Sequence, residues 1–419
     1  MLREVVYEGE SYHDSSLPED VITWQYTTVH IDYNFPNVQY EVIDSCFVPE
    51  DASESVSKSF KNFNSEELTA MAFELAGQEY ERDGMSKKRK VPTGKFRVWD
   101  NYHNNWVGIM GIKVRVYNGI RWDHAHTDAN GNYKMSKHYA TGLHYHLKFR
   151  TSDDIIINNL MFDLDAADEG LGWHSKEGYS EDFNTNSKVW MWATVNNAVY
   201  IFKRNLCPHF SIPTPNIKLH IFASNGKSKN WAGCTPMCRH MNVKLANWET
   251  FCVNFLGLQP VKAVANILAL DMMIFHNTTT RNIYSTVFHE MGHVCHYRQV
   301  GKGYWQKYAQ FIITNRGYGK ESDNNSGYVG VGEMWGYYFG NYACDTYYFG
   351  STSNWDAYKG WFKPGILLDI IQNTNLTEKQ IFICMTNSVD NHEKLKQALC
   401  SNYPLHKNVI ITQFKKYGF

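Results

Sequence analysis

A histidine pair at helical spacing is the feature of this 419-residue chain that most constrains its fold. The stretch His289-Glu290-Met-Gly-His293 places two imidazoles four residues apart. On an α-helix, residues i and i+4 lie on the same face one turn apart, so both imidazoles can reach one cation. Glu290 falls beside that stripe, at the rim of such a site, where its carboxylate can take a proton from a metal-bound water. The stretch therefore predicts a metal-binding helix.

The residues around the motif predict where this helix begins and ends. Apolar side chains recur at helical spacing from Ile283 to Cys295. The hydroxyl run at 278–280 and Asn282 are N-cap candidates, and Gly301 is a natural stop. We expect a helix of about 17 residues. The alternative is a buried helix whose histidines are only hydrogen bonded.

A catalytic zinc ion takes three protein ligands and keeps one open position, so a third ligand is needed. His296 lies seven residues after His289, about 10 Å along the helix axis. Bonds of about 2 Å do not allow one ion to hold His289, His293 and His296 together. We therefore expect His296 to lie behind the site or at the end of the helix.

Glu333 is the better candidate for the third ligand. It follows a glycine-rich entry in the apolar stretch 330–340, which predicts a second helix. Gly336 and Gly340 lie on nearly the same face as Glu333 and would let the two helices approach closely. The alternative is a surface glutamate near a helix start, where acidic residues are common. The apolar neighbours favour an inward carboxylate.

This combination resembles the gluzincin group of zinc metallopeptidases. The resemblance covers the two helices and implies that His289, His293 and Glu333 hold Zn²⁺ while Glu290 is the catalytic base. Many members carry an acidic residue four positions after the ligand glutamate, and here that position is Tyr337. The departure leaves the residue that orients the histidines undefined.

The function expected from these residues is hydrolysis of peptide bonds in a protein or peptide substrate. A tetrahedral oxyanion needs a donor besides the metal, and we predict Tyr328, which has glycines on either side, for that role. Two alternatives stay open. One is a zinc hydrolase of a non-peptide amide, and the other is an adhesive or scaffold protein in which the metal helix is only structural.

The rest of the chain predicts an α+β, multidomain protein. Residues 1–92 are a mixed region with one helix at 65–80, residues 93–168 a β-sandwich, and residues 169–419 a zincin-like catalytic domain with a mostly helical C-terminal part. Within the second region, the strict alternation at 111–117 and the Asn130-Gly131 turn resemble the carboxypeptidase-regulatory-like, transthyretin-like sandwich. That resemblance implies a structural or adhesive module. His124 and His126, beside Asp128, could bind a metal, but polar side chains of a loop are the commoner explanation.

Two apolar runs before the metal helix, 217–223 and 267–275, are predicted strands. Zinc peptidases commonly place a strand edge beside the metal, where an extended peptide can add by main-chain hydrogen bonds. We therefore expect one of these strands to line the cleft.

Composition narrows the range of partners. The net charge is −1 and the only basic block is 87–90, which argues against a nucleic-acid partner. No apolar run approaches 18 residues, so no transmembrane helix is expected. The nine cysteines are unevenly spaced and define no disulfide framework or zinc finger. The first residues lack a signal-peptide core. Resemblance to multidomain bacterial peptidases nevertheless implies export to the cell surface or the extracellular space. A cytoplasmic location is left open.

Overall fold

The structure is a computed structural model that describes residues 89–118, 121–153, 155–158, 165–224, 232–241, 270–275, 277–352 and 355–419. The predicted helix at 65–80 lies outside the described residues, so it stays a prediction. The described part contains both sheets and helices, with a β-rich region followed by a mostly helical one. This confirms the α+β class.

The smaller sheet has the strand order β2-β1-β5, and β9 pairs in parallel with β1. Its strands are β1 (Thr93–Asp100), β2 (Asn105–Gly108), β5 (Asn132–Lys134) and β9 (Glu181–Phe183). The predicted Asn130-Gly131 turn leads into β5, and Gly131 has a φ of 80°. Glycine adopts this left-handed conformation without steric cost, which explains its place in the turn.

The larger sheet has the order β11-β12-β10-β7-β6-β3-β4, with β8 also beside β6. Its strands are β3 (Ile112–Asn118), β4 (Arg121–His126), β6 (Leu143–Thr151), β7 (Ile156–Asn158), β8 (Asp168–His174), β10 (His220–Ala223), β11 (Gly233–Cys234) and β12 (Met272–Ile274). Alternate residues of β3 and β6 are buried, as the period-two pattern at 111–117 predicts. His124 and His126 lie on β4, not in a loop.

Strands from both sides of the predicted boundary at residue 168 share the larger sheet. β7 pairs with β10, and β10 pairs with β12, all in parallel. Residues 89–419 accordingly form one compact unit. In the described part of the chain, the β-rich region and the helical region are therefore not separate bodies, because their backbones are joined by sheet hydrogen bonds.

The helical region is built around one long buried helix. The helices are α1 (Lys188–Ile201), α2 (Cys207–His209), α3 (Cys238–Met241), α4 (Thr280–Val300), α5 (Lys302–Asn315), α6 (Ser326–Trp335), α7 (Asp345–Phe349), α8 (Gly365–Asn373), α9 (Glu378–Phe382), α10 (His392–Asn402) and α11 (Lys407–Lys416). Two π-helical segments, Phe202–Leu206 and Gly336–Cys344, continue α1 and α6.

Helix α4 carries the histidine pair and is four residues longer than the predicted 17. Thr279 caps its first turn by accepting a hydrogen bond from the backbone N–H of Asn282, and Gly301 ends it with a φ of 78°. Both limits agree with the sequence signals. Helix α4 packs against α1 and against the π segment that follows α6. Across the described ranges, no helix has both the length and the apolar composition to cross a bilayer.

Candidate metal centre

The two histidines of α4 converge as their spacing predicts. His289 Nε2 and His293 Nε2 are 3.0 Å apart, and the two rings meet edge to face with centroids 4.6 Å apart. Both side chains are buried. One turn of helix therefore suffices to bring two imidazole nitrogens to a common point.

Glu333 completes the group from α6. Its Oε2 lies 3.5 Å from His289 Nε2, and its Oε1 lies 3.4 Å from His293 Nε2. Bonds of about 2.0 to 2.2 Å in a tetrahedral site would separate neighbouring ligand atoms by about 3.3 to 3.6 Å. The three side chains therefore form a buried group that could hold a metal ion.

One oxygen of Glu333 also fits a metal, because no donor among the described residues reaches it. Glu333 is 1% exposed, and its Oε2 has no hydrogen-bond partner among the described residues. A buried carboxylate oxygen without a donor or cation costs several kcal/mol, on the order of the desolvation of a charge. Burial alone would raise the pKa of Glu333, but the imidazoles of His293 and His289 outweigh it and hold the pKa well below its usual value.

The close approach of α4 and the π segment depends on glycine. A Cβ atom at Gly336 would lie 2.7 Å from His293 Cε1, and one at Gly340 would lie 2.4 Å from His289 Cα. Neither distance is possible for real carbon atoms. The small-residue stripe predicted from Gly336 and Gly340 is therefore what lets Glu333 reach the histidines.

Tyr308 of α5 holds the other oxygen of the glutamate. Its hydroxyl donates a hydrogen bond of 2.5 Å to Glu333 Oε1, and its ring stacks on Trp305 with centroids 4.3 Å apart. Burial, with Glu333 beside it, raises the pKa of Tyr308 far above its usual value, so the phenol stays a donor. Tyr308 therefore orients the carboxylate of Glu333, each of whose two oxygens lies beside one imidazole.

Asn341 orients the first histidine from the opposite ring nitrogen. Asn341 Oδ1 lies 2.9 Å from His289 Nδ1, while the Asn341 amide N–H groups donate to Ser285 O and Ser285 Oγ at 3.0 Å. The two contacts to Ser285 identify which end of the amide is nitrogen. His289 Nδ1 then carries the proton, which leaves the Nε2 lone pair directed at the metal position.

Glu290 is the other buried acid of the site. Its Oε2 accepts a hydrogen bond of 2.7 Å from Thr235 Oγ1, and Thr235 O in turn accepts one of 3.1 Å from Trp305 Nε1. The strand end at Gly233 lies so close that a Cβ there would be 3.0 Å from Glu290 Oε1. Burial raises the pKa of Glu290 despite the nearby histidines.

These groups line one cleft. Its lining comprises Cys234, Thr235, Pro236, His289, Glu290, His293, Tyr308, Ala309, Ile312, Ile313, Tyr318 and Glu333. The lining thus combines the metal group and its acid with apolar side chains. The strand residues in the lining belong to β11 and the turn after it, whereas the two predicted strands pair farther inside the sheet as β10 and β12.

Tyr328 does not reach the metal group. Its hydroxyl is 2.8 Å from Lys307 Nζ, and it is absent from the cleft lining. Five residues of α-helix turn by about 500°, so Tyr328 points about 140° away from Glu333. Tyr318, which does line the cleft, and Tyr308 stand where a phenol was expected. No local signal in the sequence marks them, since their positions depend on how α5 and the segment after it pack.

His296 lies behind the site, as its distance along the helix predicts. It is fully buried, and neither ring nitrogen has a hydrogen-bond partner among the described residues. Burial, helped by the nearby His293, lowers the pKa of His296 to about 3. The ring is therefore a neutral core side chain and is not part of the metal group.

Comparison with known proteins adds no relative from which a role could be transferred. No protein-family model matches the chain, and neither the curated proteins nor the solved structures contain a match. The assignment of the site therefore depends on its own geometry and chemistry.

Proposed function

We propose that this protein is a zinc-dependent peptidase in which His289, His293 and Glu333 hold the metal and Glu290 is the general base. The observation that carries the proposal is that these four buried side chains line one cleft, three with ligand atoms 3.0 to 3.5 Å apart and the fourth as an adjacent acid. Two imidazoles and one carboxylate are a donor set typical of catalytic zinc.

A zinc ion bound there would polarise a substrate carbonyl and acidify a water molecule. Glu290 would accept the proton of that water and pass it to the leaving amine, since it lies one residue from a ligand and faces the same cleft. Thr235 holds one oxygen of Glu290 in place and leaves the other for the proton. The phenol of Tyr318 is the candidate donor to the developing oxyanion because it lines the cleft.

Two features of the cleft favour a peptide over a small amide as the substrate. In the described part of the chain, β11 is the last strand of the larger sheet and its Gly233 lies against Glu290, a place where an extended chain would add by main-chain hydrogen bonds. Ala309, Ile312 and Ile313 form an apolar surface that would accept a hydrophobic side chain. Both features support a protein or peptide substrate over a small amide.

Metal analysis and one variant test the proposal. We expect one zinc per chain, cleavage of casein that a chelator abolishes, and its return when zinc is added. Glu290→Gln should keep the zinc and lose nearly all hydrolysis, because the amide cannot accept the proton. Cleavage of casein by Glu290→Gln at the unmodified rate would overturn the mechanism.

The same measurements separate the alternatives. Bound zinc with no hydrolysis of casein or of simple amides would indicate a structural metal in a scaffold protein. Hydrolysis of small amides without cleavage of casein would indicate a non-peptide amidohydrolase.

A further inference from the structure

The helix that delivers Glu333 changes its hydrogen-bonding register immediately after it. Helix α6 ends at Trp335, and residues Gly336–Cys344 form a π-helix of nine residues. Segments of this kind are rare and usually much shorter, and they occur often at functional sites. A π segment of this length next to Glu333 therefore needs a physical explanation.

The π register turns Asn341 towards α4. Eight α-helical steps from Glu333 would rotate Asn341 by about 80° from the direction of the glutamate. In a π-helix, with about 4.4 residues per turn, each of the last five steps turns by only about 82°, which brings Asn341 to within about 10° of that direction. The observed contact of 2.9 Å between Asn341 Oδ1 and His289 Nδ1 is the result.

The ring of Tyr337 is the neighbour of His289 one α-helical turn after Glu333. Tyr337, four residues after Glu333, packs against His289 with ring centroids 4.6 Å apart. The phenol ring packs on the imidazole of His289 but does not accept the hydrogen bond of Nδ1, so Nδ1 needs another acceptor. Asn341 lies one π turn farther along and supplies that acceptor.

A buried carboxylate stands behind the amide. Ser285 receives the Asn341 amide N–H groups and donates its own hydroxyl to Asp345 Oδ2 at 2.6 Å. Asp345 is fully buried and begins helix α7, where the π segment ends. The hydrogen bonds therefore run in one direction, from His289 through Asn341 and Ser285 to Asp345.

We propose that the π segment is a positioning device, and that Asn341, Ser285 and Asp345 hold His289 in the one tautomer and orientation that direct Nε2 at the metal. The inference rests on the proposed metal site but not on peptide hydrolysis. None of the three touches the metal position, so they are positioning residues. Loss of such partners typically weakens metal binding by about 10- to 100-fold.

The proposed role of Asn341, Ser285 and Asp345 can be tested in the full chain by measuring zinc affinity in competition with a chromogenic chelator. Asn341→Leu should weaken zinc binding by about 10- to 100-fold, whereas Asn341→Asp, which keeps an acceptor for Nδ1–H, should remain within about threefold. Asn402→Leu makes the same change at an exposed helix position and should leave the affinity unchanged. Nitrogen NMR of the histidine rings should show the Nδ1–H tautomer of His289 in the unmodified protein and a mixture of tautomers in Asn341→Leu.

Unchanged zinc affinity and tautomer in Asn341→Leu would overturn the inference. If Asn341→Leu does not fold, Ser285→Ala decides: weaker zinc binding by about threefold or more supports the chain of hydrogen bonds, and unchanged binding overturns it. The outcome is independent of the proposed function. A protein that never cleaves casein can still lose zinc affinity in Asn341→Leu, and one that cleaves casein can still bind zinc without help from Asn341.

Discussion

Thr235 Oγ1 donates a hydrogen bond of 2.7 Å to Glu290 Oε2, and both atoms are buried. This contact joins the strand end at β11 to the acid of the metal helix. It holds the carboxylate over the cleft and stabilises its charged form, in opposition to the burial that raises the pKa of Glu290. The strand thus affects both the position and the basicity of the proposed base.

Thr235→Val should therefore slow hydrolysis while leaving the metal bound. A hydrogen bond to a charged group is worth about 1.5 to 3 kcal/mol, so kcat/KM for a casein-derived peptide should fall about 10-fold or more. Because the lost donor stabilised the carboxylate, the pKa of Glu290 should rise and the acidic limb of the pH–rate profile should move to higher pH. Thr235→Ser, which retains the hydroxyl, is the control and should keep both values close to those of the unmodified protein.

Gly336→Ala should disrupt the metal group although it replaces none of the proposed ligands. The added methyl would lie 2.7 Å from His293 Cε1 and 2.9 Å from His289 Cε1, so the helices must separate. We expect a loss of zinc affinity of about 10-fold or more and destabilisation of about 1 to 3 kcal/mol, measured by chelator competition and by urea unfolding. Gly303→Ala is the matched control, since a methyl there meets nothing within 4 Å and should stabilise helix α5 by up to about 1 kcal/mol. Equal effects of the two variants would contradict the close-packing argument.

Removing the hydroxyl of Tyr308 should weaken zinc binding, whereas removing that of Tyr328 should have almost no effect. Tyr308→Phe keeps the ring on Trp305 but leaves Glu333 Oε1 without its donor, so zinc affinity should fall about 10-fold. Tyr328→Phe removes only an exposed contact with Lys307 and should change neither zinc affinity nor casein cleavage by more than about twofold. A large loss of cleavage in Tyr328→Phe would restore the oxyanion role predicted for it from the sequence.

The histidine at the start of α10 should make the fold sensitive to acid. The ring of His392 stacks on Phe419 with centroids 3.9 Å apart, its Nε2 lies 3.1 Å from Phe362 O, and burial lowers its pKa to about 4. An unfolded histidine has a pKa of about 6.5, so the neutral ring contributes stability that is fully present above pH 6.5 and is lost as the pH falls towards 4. The two pKa values correspond to about 3 kcal/mol.

Urea unfolding at pH 7 and pH 5, with chelator present throughout, measures this contribution. The unmodified protein should lose more stability between the two pH values than His392→Phe, whose ring does not titrate. The chelator removes the competing effect of metal release from His289 and His293. An identical loss in both proteins would show that the fold does not depend on a neutral His392.

The pattern of residues along single elements was enough to predict several parts of this molecule. Spacing of four residues placed His289 and His293 at one point, because an α-helix repeats its direction after one turn. The glycines at 336 and 340 indicated a close helix contact, because no other residue allows one. Helix α4 begins and ends where Thr279 and Gly301 predict, and β3 follows its alternation.

Only the tertiary structure decided which groups surround the metal position. Thr235 and Tyr308 reach Glu290 and Glu333 from segments 55 and 25 residues away in the sequence, and no local spacing encodes such contacts. Asn341 faces His289 because the helix changes to a π register. This change depends on packing against α4, so a prediction that assumes 3.6 residues per turn does not find the contact. The regular backbone geometry of one helix fixes which of its side chains lie on the same face. Which groups from other segments contact that face is decided by the packing of the whole core.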